Sequence, residues 1–186
     1  MKFWTIQNKD VLKTIEEQGL YQPDFNCSSY IKDNEDLADL YALILQSFNR
    51  INQEQLPGVI YAFVQSDNQQ IFSINSIDEF KDFVKSKQPV IGSFWKNIDK
   101  ENSVIMELDY ENTFNPIFVD INDFQFLMPP IMILRPYTEE SIHRIIRDIQ
   151  LGQITRSEFP SHVIQAHLPY IEKKNVINTY PIFDIV

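Results

Sequence analysis

The stretch from Lys2 to Tyr21 reads as a strand, a cap, a helix and a stop, which commits the chain to packing a helix beside a strand from its start. Phe3, Trp4, Thr5, Ile6 and Gln7 alternate large apolar and polar side chains, as a strand with one buried face would. Asn8 suits an N-cap, because its side chain can accept from the free amides of the next turn. Val11, Leu12 and Ile15 then share a helical face, and Gly19 supplies the left-handed exit. The unit lacks the basic start and apolar run of a signal peptide, so no leader is expected, and no apolar stretch approaches membrane-spanning length.

Residues 20–34 read as loop. A helix is expected over 35–50, where Leu37, Leu40, Tyr41, Ile44, Leu45 and Phe48 form a wide apolar stripe. Residues 59–64 and 70–74, split by Ser66-Asp67-Asn68, read as a hairpin. Ser76 and Glu79 have capping-box spacing before a short helix that ends near Lys87. Strands are expected at 90–95 and 103–111, with shorter pieces at 117–120 and 124–128. Pro129-Pro130 demotes 131–134 to an edge or irregular strand, and the isomer at Pro129, Pro130 and Pro136 is not legible. Thr138 caps a helix carrying Ile142, Ile145, Ile146 and Ile149 that stops at Gly152. A further helix is expected from Pro160 or Ser161 through Val163, Ile164 and Leu168, before an extended tail at 180–186.

This order favours an α+β fold with a mixed or antiparallel sheet and packed helices. The division expected is one domain over 1–186, with an α+β core at 1–136 and a helical carboxyl-terminal extension at 137–186.

A formal charge of −10, from 26 acids against 16 bases, opposes approach to nucleic-acid backbones and anionic membranes. Only 4 glycines argue against a phosphate-cradling loop. Cys27 stands alone, so no intrachain disulfide is possible and a reducing, cytoplasmic setting is expected. His143, His162 and His167 lack the spacing of a shared metal, so no metal site is expected. Trp4 and Trp95 read as core rings, since no basic stripe accompanies them. The pattern with a plausible chemistry is Glu107, Asp109 and Glu111, three carboxylates on one strand face opposite Val104, Met106, Leu108 and Tyr110. Such a row can bind a hard cation or give one member a raised pKa for acid-base work, or it is a solvated face.

The opening Phe3-Trp4-Thr5-Ile6-Gln7 with Gly19-Leu20 resembles a bacterial family of unknown function whose members begin with a Leu-Trp-Thr-Ile-Gln type sequence. The resemblance continues through Val59 to Phe63, Val104 to Asp109, Phe118 to Phe124, Leu134 to Glu140 and Ile182-Phe183-Asp184. Tyr61 and Leu127-Met128 stand where that family often carries tryptophan or a Trp-His pair. The strand-helix-glycine opening is also distantly similar to ADP-ribosyltransferase-like domains, which present a His or Arg from the first strand to NAD and a Glu from a later one. That likeness implies NAD as cofactor, Thr5 or Gln7 at the first position, and Glu107 and Asp109 as a degenerate E-x-E. Two readings follow. The first is a non-catalytic acidic interaction protein with a protein partner and no cofactor, of the kind found in phage, defence or toxin-antitoxin systems. The second is an NAD-using transferase, which requires Thr5 or Gln7 to face Glu107 across a cleft.

Overall fold

The computed structural model describes residues 1–186 except 34, 68, 69, 112, 129–136 and 186. The edge strand expected at 131–134 and the peptide bonds at Pro129, Pro130 and Pro136 lie outside the described residues.

The elements run β1 (Lys2–Asn8), α1 (Lys9–Gln18), β2 (Leu20–Tyr21), α2 (Ser29–Lys32), α3 (Glu35–Asn52), β3 (Ile60–Asp67), β4 (Gln70–Phe72), α4 (Ile77–Ser86) and α5 (Gln88–Lys96). They continue with β5 (Ser103–Asp109), β6 (Ile117–Asp120), α6 (Ile121–Leu127), α7 (Glu139–Leu151), β7 (Val163–Leu168), β8 (Ile171–Glu172), a 3₁₀ turn at Lys173–Asn175, and β9 (Val176–Pro181). Local chemistry sets the boundaries. The Asn8 side chain accepts from the Asp10 amide, and Gly19 closes α1 at φ 82°. Ser76 accepts from the Glu79 amide, Thr138 from the Ser141 amide, and Gly152 leaves α7 at φ 67°.

The main sheet has the strand order β6-β7-β3-β1-β5-β9, with β4 paired to the end of β3. All of its described pairings are antiparallel. The fold is therefore α+β. One face of the sheet carries Phe3, Ala62, Met106, Leu108 and Ala166, and packs on Val11, Leu12 and Ile15 of α1. The other carries Trp4, Phe63 and Ile105 under Phe80, Val84, Ile91 and Trp95 of α4 and α5. Farther along that face, Ile117 and Val119 of β6 lie under α3, α6 and α7. Strand β1 is thus buried on both sides, against the expectation of one buried face: Phe3, Trp4, Thr5 and Ile6 are all enclosed.

Several other expectations are corrected. Residues 90–95 form helix α5, not a strand: Pro89 sits in its first turn, and Ile91 and Trp95 bury themselves one turn apart. Residues 124–127 belong to α6, which Asp120 caps by accepting from the Asn122 amide, and which buries Ile121, Phe124 and Leu127 at helical spacing. The expected loop over 20–34 contains β2 and α2. The expected helix through Val163, Ile164 and Leu168 is strand β7, paired to β3 on one side and β6 on the other. Its run of apolar residues suits a strand buried on both faces as well as it suits a helix. The carboxyl-terminal section is accordingly no helical extension. Among the described residues α7 is the one α-helix there, and β7 and β9 complete the same sheet, so the division at 136 does not hold.

Candidate functional site

Register decides where the sequence-predicted residues go. Trp4 pairs with Glu107, Thr5 with Met106 and Gln7 with Val104. Directly paired residues project to the same face, so Glu107 shares a face with Trp4 while Thr5 and Gln7 point to the other. The cleft that would join Thr5 or Gln7 to Glu107 is not formed. Thr5 is fully buried: its hydroxyl donates to the Tyr61 carbonyl at 2.8 Å and accepts from Gln7 Nε2 at 2.8 Å.

Glu107 is 3% exposed and accepts from Lys2 Nζ at 2.6 Å, Asn178 Nδ2 at 2.9 Å and Tyr180 Oη at 3.2 Å. Burial pushes its carboxyl up, but the bonds from Asn178 and Lys2 outweigh that and hold it below the usual carboxylate range. It is a charged carboxylate with its hydrogen bonds satisfied. Asp109 and Glu111 lie exposed beyond it, so the carboxylate row does not converge. Among the described residues no cluster of three His, Cys, Asp or Glu could hold a metal ion, and Cys27 is exposed.

What the fold does build is an aromatic cleft. It lies between the two helical groups that cover one sheet face, with a volume of about 470 Å³. Tyr61 and Phe63 reach it from alternate positions of β3, and Gln165 from β7, directly opposite Phe63 in register. Helix α5 adds Phe94, α6 adds Ile121, Phe124 and Gln125, and α3 adds Tyr41. The rings brace one another: Tyr61 meets Phe63 edge-to-face at 5.9 Å, Phe94 tilts against Phe63 at 5.8 Å, and Tyr41 meets Phe124 at 6.1 Å. No charged residue lines the cleft among the described residues. A second cavity of about 550 Å³ shares Tyr41 and Tyr61 with it, and there Gln7 is found.

Two polar atoms beside the cleft lack partners. Gln165 Oε1 is enclosed without a hydrogen bond, and so is His167 Nε2. His167 pairs with Tyr61 in register and stacks on Phe124 at 6.4 Å. Burial pushes its pKa down to about 3, so the ring is neutral. Sequence reasoning treated Tyr41 and Tyr61 as core or strand positions and read Phe94 and Phe124 as strand residues. The available signal was polar Gln165 within an apolar run and Gln125 between two phenylalanines, neither of which has a meaning until the helices are placed.

The start of α6 carries two buried acids, its cap Asp120 and Asp123 in its first turn. Asp120 accepts from the Ser161 amide and hydroxyl, both at 2.9 Å, and its pKa is raised by burial. Asp123 is fully buried, accepts from Tyr137 Oη at 3.0 Å, and leaves its Oδ2 without a partner. Burial pushes Asp123 up to about 6 against the opposing hydroxyls of Ser157 and Thr155, and the charge of Asp120 adds to the rise. The folded carboxyl therefore keeps its proton to near pH 6, whereas the unfolded one loses it near 3.8. Between those limits the folded state binds more protons, so stability falls as pH rises. Asp123→Asn keeps the acceptor for Tyr137, and we expect it to stabilise the protein by on the order of 2 kcal/mol at pH 7.5. The gain should vanish below pH 4, as read from urea midpoints across that range.

Comparisons with protein-family models, with curated proteins and with solved structures give no match to this chain. The functional reading accordingly rests on the geometry.

Proposed function

We propose that the chain is a non-catalytic binding protein whose recognition element is the aromatic cleft. The observation that carries this is the contrast between two sites. The carboxylate suited to chemistry, Glu107, is tied to Lys2, Asn178 and Tyr180, while Tyr61, Phe63, Phe94 and Phe124 surround an uncharged space of ligand size. Rings braced edge-to-face are held in place before a ligand arrives, so binding costs little ordering. A flat, uncharged ring system suits walls of this kind. The net charge of −10 supports a neutral or cationic partner over an anionic one.

The test is ligand-observed NMR with uncharged planar heteroaromatics such as indole, benzimidazole and adenine. Saturation transfer is expected for the wild-type protein and is expected to be lost in Gln125→Trp, where the new indole enters the cleft from its exposed rim. Binding by none of the set, or equal binding to both proteins, would refute the reading. An NAD-using transferase would instead need Glu107 released from its three partners. NAD consumption by the wild-type protein that disappears in Glu107→Gln is the result that would support it.

A further inference from the structure

We propose that the cleft reads the edge of a neutral amino-bearing purine, a base or nucleoside, through the amide of Gln165. This deepens the preceding reading and rests on it.

The argument starts from the Gln165 oxygen. It is enclosed by protein, yet no donor reaches it. Buried acceptors are nearly always satisfied, so an unmet one beside a cavity marks a bond that something else completes. The terminal amide of a glutamine turns easily about its last torsion. Turning toward the cleft sacrifices no bond to Oε1, because none is made. Once turned, the amide offers one acceptor beside one donor. Its complement is a ring edge carrying a donor beside an acceptor, the pattern that glutamine and asparagine meet on the amino group and adjacent ring nitrogen of adenine.

The surroundings narrow the ligand further. Phe63 stands beside Gln165 in register, and Phe94 and Phe124 complete aromatic walls against which a flat base can stack. Neighbouring His167 is neutral and offers no positive charge. With no Lys or Arg lining the cleft among the described residues, a phosphate would enter without a counter-charge, into the field of a chain at −10. A nucleoside is therefore favoured over a nucleotide, and gripping the base rather than the phosphates is the mode of recognition.

Calorimetric titration with three probes tests this: adenosine, purine riboside (the same ring without the amino group) and adenosine monophosphate. Adenosine is expected to bind roughly fivefold tighter than purine riboside, the worth of one net hydrogen bond. The monophosphate should bind more weakly than adenosine. In Gln165→Leu, checked for a cooperative melt, the preference for adenosine over purine riboside should disappear. Should that variant not fold, the wild-type comparison of the three probes still decides. Equal binding of adenosine and purine riboside, a preference that survives in Gln165→Leu, or tighter binding of the monophosphate would each overturn the proposal while leaving the cleft a binding site. Binding of none of the three would overturn the proposal, and the indole and benzimidazole measurement above then decides separately whether the cleft binds a ligand at all.

Discussion

Replacing Trp4 by alanine should cost about 3–5 kcal/mol, the range for a large aromatic deleted from a packed core. The indole is fully buried in the strand that joins the two halves of the sheet. It stacks on Phe80 at 4.7 Å with an interplanar angle of 9°, and lies 5.9 Å from Tyr180. Its Nε1 donates to the Ile74 carbonyl at 2.8 Å, so alanine leaves a cavity and an unmet buried acceptor together. Trp4→Phe keeps most of the packing and loses the bond, and should fall between the two. Phe80→Ala should share much of its loss with Trp4→Ala, so the double variant should cost less than the sum. Urea unfolding reads all four variants, and a loss below 1 kcal/mol for Trp4→Ala would show that β1 does not hold the core together.

Glu107→Ala should cost about 2–4 kcal/mol, although its site reads from sequence as the best catalytic candidate. Deleting the carboxylate leaves Asn178 Nδ2 and Tyr180 Oη without this acceptor and Lys2 Nζ with only the Asn75 carbonyl at 2.9 Å, and so removes the side-chain tie between β9 and the middle of β5. Lys2 retains some access to water, which keeps the loss below that of a fully enclosed ion pair. Glu107→Gln keeps an acceptor and should cost less. The folded carboxyl is lowered relative to the unfolded one, so its contribution is present at neutral pH and is lost as pH falls through the folded value. His167 acts in the same direction: folded, it resists protonation to about pH 3, whereas the unfolded ring protonates near 6.5. Acid should therefore weaken the fold through both groups, while Asp123 weakens it as pH rises toward 6. A poised catalytic acid behaves differently, because relieving an active site of strain commonly leaves stability unchanged or raises it. An unchanged or raised midpoint in Glu107→Ala would argue for catalysis.

The α+β class, β1, α1, α3, the hairpin after Pro57, α4, β5 and α7 were legible because caps, glycine exits and clear periodicity agree there. The misread segments are those where a buried apolar run fits either element. Val90 to Trp95 contains β-branched and aromatic residues that favour a strand, but packing against Phe80 and Phe183 selects a helix. Val163 to Leu168 looked helical because β7 is covered on both faces, so apolar Val163, Ile164, Ala166 and Leu168 surround the alternating Gln165 and His167 and mask their period of two. Glu107 and Asp109 lie on β5 as expected, whereas Glu111 falls beyond the end of the strand. The partners of Glu107 were not legible because Lys2, Asn178 and Tyr180 come from strands distant in sequence. The cleft was illegible for the same reason: its walls come from α3, β3, α5, α6 and β7.

Amide-resolved NMR of the protein with adenosine tests the central claim most directly. Perturbations should concentrate at Tyr61 to Phe63, at Phe94, at Phe124 and Gln125, and at Gln165, the positions that surround the cleft. Perturbations centred instead on Lys2, Glu107 and Asn178 would contradict the account and return the site to the buried carboxylate.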